Sequence, residues 1–366
     1  MGPSAAVALG EVTRIAPIVL MSLLAGCATP GVSADQGTGQ DAAPVVVDVA
    51  VPDVADVTDV QSPPLPSPLV VDLPPFGVAP GDRPTRCVRV RLPNETAWPA
   101  GGIRTDLGVL GHHAIVSLSD ETSERPSGKA CPMFGRIYGV GATPIFISLR
   151  SKDSMSYPVG SGLVLPPHAM VEVEAHYFNT TGSAGTAGGS VSFDPPPSAV
   201  ATPSVGLFMA MAIETWIPPG PFVDEWHEIA LPGPGALFRL DAHIHRYGTG
   251  LEMRLVTRPG DPGTPVYPGA ADGQPFRWDQ MRTVAIDPPL TVPAGAVLQF
   301  RCLWNNPTSA AVDLGPGGEM CKVWGYLTPS GGYRFCEITP PGAASPDGFC
   351  CPGDPECLTP VEGQDR

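Results

Sequence analysis

The chain has 366 residues, a formal net charge of −15, 47 prolines and 43 glycines, and only 16% charged residues. This composition excludes a helix-rich protein, because proline and glycine break helices, and it favours an all-β protein of short strands and many turns. It also excludes a nucleic-acid binder, which needs clustered Lys and Arg to displace the counterions of a phosphate backbone. The length allows roughly two to three domains.

At the N-terminus, Ile15 to Gly26 is an apolar run behind Arg14, too short to span a bilayer, and it reads as the core of a signal peptide. The run ends in Leu24-Ala25-Gly26-Cys27, which resembles a bacterial lipobox. Residues 1–27 are therefore expected to be a lipoprotein signal peptide whose Cys27 carries the lipid. The competing reading is an ordinary signal peptide with an incidental Cys27. Ala28 after the cysteine, rather than Asp, points by analogy with enteric bacteria to the outer rather than the inner membrane. The expected location is the bacterial cell envelope, lipid-anchored to a membrane, with the folded domains outside the cytoplasm. Residues 28–83 are rich in Pro, Val, Asp and Ala and almost free of aromatics, so they are expected to be a disordered tether.

Residues 84–200 form the first folded stretch, with strand-like runs at Arg86–Leu92, Ala114–Leu118, Thr143–Leu149 and Met170–Phe178. Gly111-His112-His113 opens one of these runs, and His176-Tyr177 lies inside another. Adjacent histidines on a regular strand face opposite ways, so His112 and His113 can share a ligand only at a strand start or a bulge. His168 and His227 read as surface or packing residues.

Residues 201–340 form the second stretch, with strands expected at Val205–Ile213, Ala236–His245, Leu251–Thr257, Leu298–Trp304 and Cys321–Leu327. Pro288 to Gly295 reads as a turn-rich connector. His243 and His245 are two apart on one strand and share a face. Gly317-Gly318-Glu319-Met320-Cys321 reads as an exposed glycine turn that delivers a thioether and a thiol together. A thioether beside two imidazoles suits Cu(I) better than Zn or Mg.

The order His112-His113, His176-Tyr177, His243-x-His245 followed by Gly248, then Gly318-Glu319-Met320-Cys321 resembles the copper type II, ascorbate-dependent monooxygenases. That is the family of peptidylglycine α-hydroxylating monooxygenase and dopamine β-monooxygenase. The likeness runs from about Leu107 to Leu327 and includes Phe276-Arg277-Trp278-Asp279-Gln280, Val292-Pro293-Ala294-Gly295 and Cys302 with Trp304-Asn305-Asn306. It implies two tandem antiparallel, jelly-roll-like β-sandwiches and two coppers per chain. His112, His113 and His176 would hold an electron-transfer copper, and the catalytic set His243, His245 and Met320 an oxygen-activating one. Ascorbate or another one-electron reductant would be the co-substrate, and dioxygen would hydroxylate a C–H bond of a small-molecule or peptide substrate.

Beyond Cys27 eight cysteines remain, an even number in an exported chain. The resemblance implies a Cys302–Cys321 disulfide, and Cys87 with Cys131 is the natural guess in the first domain. Residues 341–366 read as a Cys-rich tail that is tied to Cys336, with open connectivity. The alternative of a cysteine metal site there fits no strong zinc spacing.

The resemblance is incomplete. The peptide-hydroxylating members carry an arginine that grips the substrate carboxylate where this chain has Asp241. Asp241 could attract an amine, support the metal site from behind, or face solvent. Lys322 and Trp324 replace an Asn and a Tyr after Met-Cys, Glu174 replaces a glutamine, and Ala114 stands where methionine is usual. Three functions follow: a monooxygenase, a non-catalytic copper-binding surface lipoprotein, and a structural β-sandwich with incidental histidines.

Overall fold

Alternating side chains and frequent turn residues make nearly every ordered segment extended. The computed structural model describes residues 67–351 except 133–134, 136, 138–140, 198–201, 204, 214–215, 232, 269–274, 315–317, 330–331 and 339–348. The signal peptide with Cys27, most of the tether and most of the Cys-rich tail lie outside the described residues. Among the described residues there is no α-helix, only a 3-10 turn at Trp278–Gln280, and no helix is long and apolar enough to cross a membrane.

In chain order the first half supplies β1 (Leu69–Val78), β2 (Thr85–Arg91), β3 (Gly102–Asp106), β4 (Gly111–Ser119), β5 (Arg125–Ala130), β6 (Ala142–Ser148), β7 (Lys152–Ser156), β8 (Met170–Tyr177) and β9 (Gly185–Asp194). They form two antiparallel sheets, β1-β9-β3-β7 and β5-β2-β8-β4-β6, whose inner faces share one hydrophobic core. The second half supplies β10 (Gly206–Ala212), β11 (Gly220–Val223), β12 (His227–Ala230), β13 (Gly235–Ile244), β14 (Gly248–Val256), β15 (Thr264–Tyr267), β16 (Val284–Val292), β17 (Val297–Asn306), β18 (Cys321–Thr328), β19 (Tyr333–Ile338) and β20 (Phe349–Cys351). One sheet runs β16-β13-β18-β10-β19-β20, with β10 and β19 parallel; β11, β12, β17, β14 and β15 make the sheet that packs on it over a second core. The fold is all-β, with antiparallel sandwiches as the sequence led us to expect.

Two expectations are corrected. The tether does not reach residue 83, because β1 pairs along β9 from Leu69 to Val78. The Pro288–Gly295 connector is largely strand, because β16 runs through Pro288 and Pro289 to Val292. Both strands are sheet edges, and both registers skip at the double proline, between Leu73 and Phe76 in β1 and between Leu290 and Ala285 in β16. Proline lacks an N–H to donate, and an edge with a local bulge tolerates the loss. Of the Cys-rich tail, Phe349–Cys351 pairs with β19.

The sheet containing β13 and β18 is buried on both faces. Phe208, Ala210, Leu240, Ala242, Ile244 and Val323 face the second core, whereas Leu207, Met209, Phe238, Trp324, Tyr326 and Phe335 join the first. Such double burial explains the continuous apolar run Gly206–Ala212, since a strand covered on both sides has no solvent face. Tyr326 packs against Phe146, and its hydroxyl accepts the Ile147 N–H at 3.0 Å; Phe238 meets Tyr157 edge-on.

An ion pair sits within this joint. Arg239 bonds Asp241 through Nε at 2.7 Å, and it reaches across to β7, to the Asp153 carboxylate at 2.9 Å and the Ser154 carbonyl at 2.9 Å. Thr283 donates to Asp241 at 2.6 Å. Burial opposes the charge on Arg239, but Asp241 and Asp153 outweigh it, so the guanidinium holds its proton more tightly than usual.

Removing one member of a buried ion pair leaves a charge without a partner. Arg239→Ala is expected to lower unfolding stability by about 3–5 kcal/mol in denaturant titration. Arg104→Ala, which breaks a pair that is 55% and 28% exposed, is expected to cost under about 1 kcal/mol. Equal losses in the two variants would show that the buried pair is not a structural clasp.

Candidate metal centre

The first histidine set depends on a bulge. His176 of β8 pairs with His113 of β4, and Tyr177 pairs with Gly111, so two steps on β4 match one step on β8. His112 is the extra residue, and the bulge re-aims its ring. This is the irregular strand start that the His-His pair requires. A side chain at Gly111 would place its Cβ 2.2 Å from Leu107 Cβ, so only glycine lets the chain turn tightly enough there. One ring nitrogen from each of His112, His113 and His176 lies within 4.8 Å of the others. His112 Nδ1 and His113 Nδ1 are 2.8 Å apart. Two nitrogens that each sit about 2.0 Å from one ion, at right angles, are separated by about that distance.

The electrostatics suit a ligand set. Burial pushes His113 well below its ordinary value, and His176, His112 and His243 add to the effect. His176 is pushed down to about 4, first by burial and then by His112, against a hydrogen bond to the Arg83 backbone. His112 is lowered by burial and by Arg83. All three rings are neutral at pH 7, the state in which imidazole binds metal.

The second set lies on β13. Arg239, Asp241 and His243 share one face, and they pair with Tyr326, Trp324 and Lys322 of β18. The ladder ends at Ile244 and Cys321, so His245 and Met320 are the next positions on the two strands, on that same face. The rings of His243 and His245 are 5.0 Å apart and nearly perpendicular. His245 Nδ1 donates to the Gly318 carbonyl at 2.7 Å, which leaves Nε2 with its lone pair. Met320 is 3% exposed. Burial, His245, Lys322 and His112 keep His243 well below its ordinary value, so the two histidine sets are electrostatic neighbours.

The turn before Met320 is not exposed, as its glycines suggested: Glu319 and Met320 are buried. Glu319 accepts the Tyr247 N–H at 3.0 Å and the Trp304 Nε1–H at 3.1 Å. A Cβ at Gly318 would meet the Asp313 carbonyl at 2.2 Å. The Cys302–Cys321 disulfide fastens β17 to β18 behind Met320, and Cys87–Cys131 also forms. Cys336 is disulfide-bonded as well. Among the other histidines, His227 is buried against Asp224 at 2.7 Å, a packing role, and His168 is exposed.

Asp241 neither grips a ligand nor faces solvent, because Arg239 and Thr283 occupy its carboxylate. Sequence reasoning missed the Arg239 clasp and the anchoring role of Glu319. The strand alternation that pairs His243 with His245 also sets Arg239 on that face, and could have revealed it.

No protein-family model matches the chain, and no curated protein matches it. Among solved structures, the major capsid protein P2 of bacteriophage PM2 is 10% identical over 77% of this chain and 100% of that one, with a TM-score of 0.34. The VP2 subviral particle of infectious bursal disease virus is 8% identical over 71% of this chain and 72% of that one, with a TM-score of 0.20. Overlays this loose carry no argument about fold or function.

The depressed histidines make the metal-free protein acid-sensitive. In the unfolded chain His176 takes up a proton near its ordinary 6.5, and in the folded chain only near 4. Between those values the unfolded state binds more protons, so stability falls as pH falls through that window and levels off below it. The thermal midpoint is expected to drop from pH 6.5 towards pH 4, with a shallower drop in His176→Asn. A flat profile would contradict the neutral, buried state of these rings.

Proposed function

We propose that the chain is a copper-dependent, ascorbate-type monooxygenase of the cell envelope that hydroxylates a C–H bond of a small-molecule or peptide substrate with dioxygen. The observation that carries the reading is the convergence of two neutral imidazole sets. His112, His113 and His176 come from one sandwich, and His243 and His245, with Met320 at the adjoining ladder position, come from the other. An all-neutral donor set fits copper: imidazole serves both of its oxidation states, and a thioether favours Cu(I). Lys322, buried on the same strand face as His243 and offset in part by Glu337, favours the singly charged Cu(I) over a divalent ion at that set. Copper held there would supply one-electron chemistry with dioxygen, with ascorbate or another one-electron reductant as co-substrate.

The chain's own residues do the positioning. The bulge at Gly111 brings His112 beside His113, the Gly318 carbonyl fixes the His245 ring, and Glu319 locks the turn that carries Met320. The double-faced sheet keeps both sets in place. Cys27 would tether the protein to the membrane. A second reading, a non-catalytic copper-binding surface lipoprotein, uses the same ligands and draws on Asp241, which stands where the family has its substrate-gripping arginine and is committed to Arg239 and Thr283.

Copper-loaded protein is expected to hold two ions per chain by atomic absorption, with His113→Ala and His243→Ala each removing one. Met320→Ala is expected to weaken cuprous binding far more than cupric binding at one site. With ascorbate and oxygen, oxygen use coupled to a hydroxylated product supports the enzyme. Uncoupled peroxide release supports the second reading, and a protein that takes up zinc but no copper rules out both.

A further inference from the structure

The first sandwich closes along one side where two edge strands meet, β1 of one sheet and β5 of the other. Both are bulged at prolines. The β1 register skips between Leu73 and Phe76, and the β5 register passes from Arg125 to Lys129 while β2 moves only from Arg89 to Cys87. Pro74-Pro75 and Pro126-Ser127-Gly128 therefore stand off their ladders, and Gly128 takes the left-handed φ of 72° that such a bend needs. Between the two bulges lies a cavity of about 30 Å³, lined also by Arg86 of β2 and Tyr177 of β8. We propose that this cavity binds a chloride-sized inorganic anion between the Arg86 guanidinium and the Tyr177 hydroxyl.

Strand alternation puts Arg86 on the face of Val88, towards the core rather than towards water. Its guanidinium stacks on the Phe76 ring at 4.5 Å, and among the described residues no carboxylate pairs with it. No acidic side chain lines the cavity. A half-buried charge without a counter-ion is unfavourable, and an anion in the cavity supplies one. Tyr177 is 1% exposed, its ring meets Phe76 edge-on at 5.2 Å, and its hydroxyl has no hydrogen-bond partner among the described residues. Burial pushes its phenol up to about 12, so the hydroxyl stays a donor at neutral pH. Size selects among anions. The cavity has room for about one or two waters, which suits a halide and leaves out sulfate, phosphate and organic carboxylates.

An ion there fastens β2 to β8 and, through the ring under Arg86, both of them to β1. A ligand that binds only the folded chain adds to its stability by mass action, so the first sandwich would track the halide concentration around it. None of this rests on the histidine sets or on copper.

The test uses the full chain at fixed ionic strength, with sodium gluconate exchanged for sodium chloride or bromide, because gluconate is too large for the cavity. The thermal midpoint is expected to rise and saturate with either halide. Tyr177→Phe is expected to weaken the halide at least about tenfold, the loss of a hydrogen bond to a charged group. Arg86→Gln is expected to abolish the response, whereas Arg104→Gln, at an exposed pair, should keep it. Crystals soaked in bromide should show an anomalous peak between Arg86 and Tyr177.

A midpoint indifferent to halide, a response unchanged in Tyr177→Phe and Arg86→Gln, or soaked crystals without that peak would overturn the inference and leave the cavity to water. Should Arg86→Gln fail to fold, Tyr177→Phe and the bromide peak decide.

Discussion

The constraint on which the rest of the structure depends is the double burial of the β13–β18 strand pair. A strand covered on both sides must satisfy two cores at once, and period-two alternation gives each core every second residue. Leu240, Ala242 and Ile244 fill one core. The opposite face reads Arg239, Asp241, His243 and, one step past the strand, His245. That single row begins as an ion pair clasping the first sandwich and ends as a pair of imidazoles. Separate domains normally move against each other unless the joint is large and apolar. Here Phe146, Tyr157, Phe238, Trp324 and Tyr326 fill the joint, so the geometry between the two histidine sets is fixed by packing rather than by a ligand.

Both histidine sets use the same local device. A glycine that no other residue can replace sits just ahead of each candidate set, Gly111 before His112 and Gly318 before Met320, with close backbone or side-chain neighbours at each. At the first set the tight turn produces a bulge that makes adjacent side chains converge. At the second it folds a carbonyl onto His245, while Glu319 and the Cys302–Cys321 bridge hold the turn from behind. Neutral imidazoles packed this closely would repel once protonated, and burial already disfavours their charged form. The histidines are therefore held neutral at the cost of some stability in acid.

Most of the strand pattern was legible because alternation and turn residues are local signals. The two corrected segments share one cause. Pro74-Pro75 and Pro288-Pro289 were weighed as breakers, although proline is excluded from the middle of a sheet and not from its edge, and edge position is a property of the whole fold. The histidine sets were legible from their order along the chain, whereas the bulge that makes His112 and His113 neighbours in space could only be stated as a requirement. Asp241 was ambiguous because its partner lies two residues away on its own strand and its second contact, Asp153 through Arg239, comes from the other sandwich. Nothing local to Asp241 announces a pairing that depends on tertiary packing.

That pairing changes where recognition can reside. With Asp241 committed to Arg239 and Thr283, the strand leading into His243 offers no charge to a ligand. Positive charge near the histidines comes instead from Lys322, buried beside His243, and from Arg83, which acts on His112 and His176. A buried ammonium beside His243 and His245 helps keep both rings neutral, and it is too enclosed to reach a bulky ligand. The charges that hold the joint and the charge that acts on the imidazoles are thus different groups, because the Arg239 clasp uses up Asp241 and Asp153 within the pair.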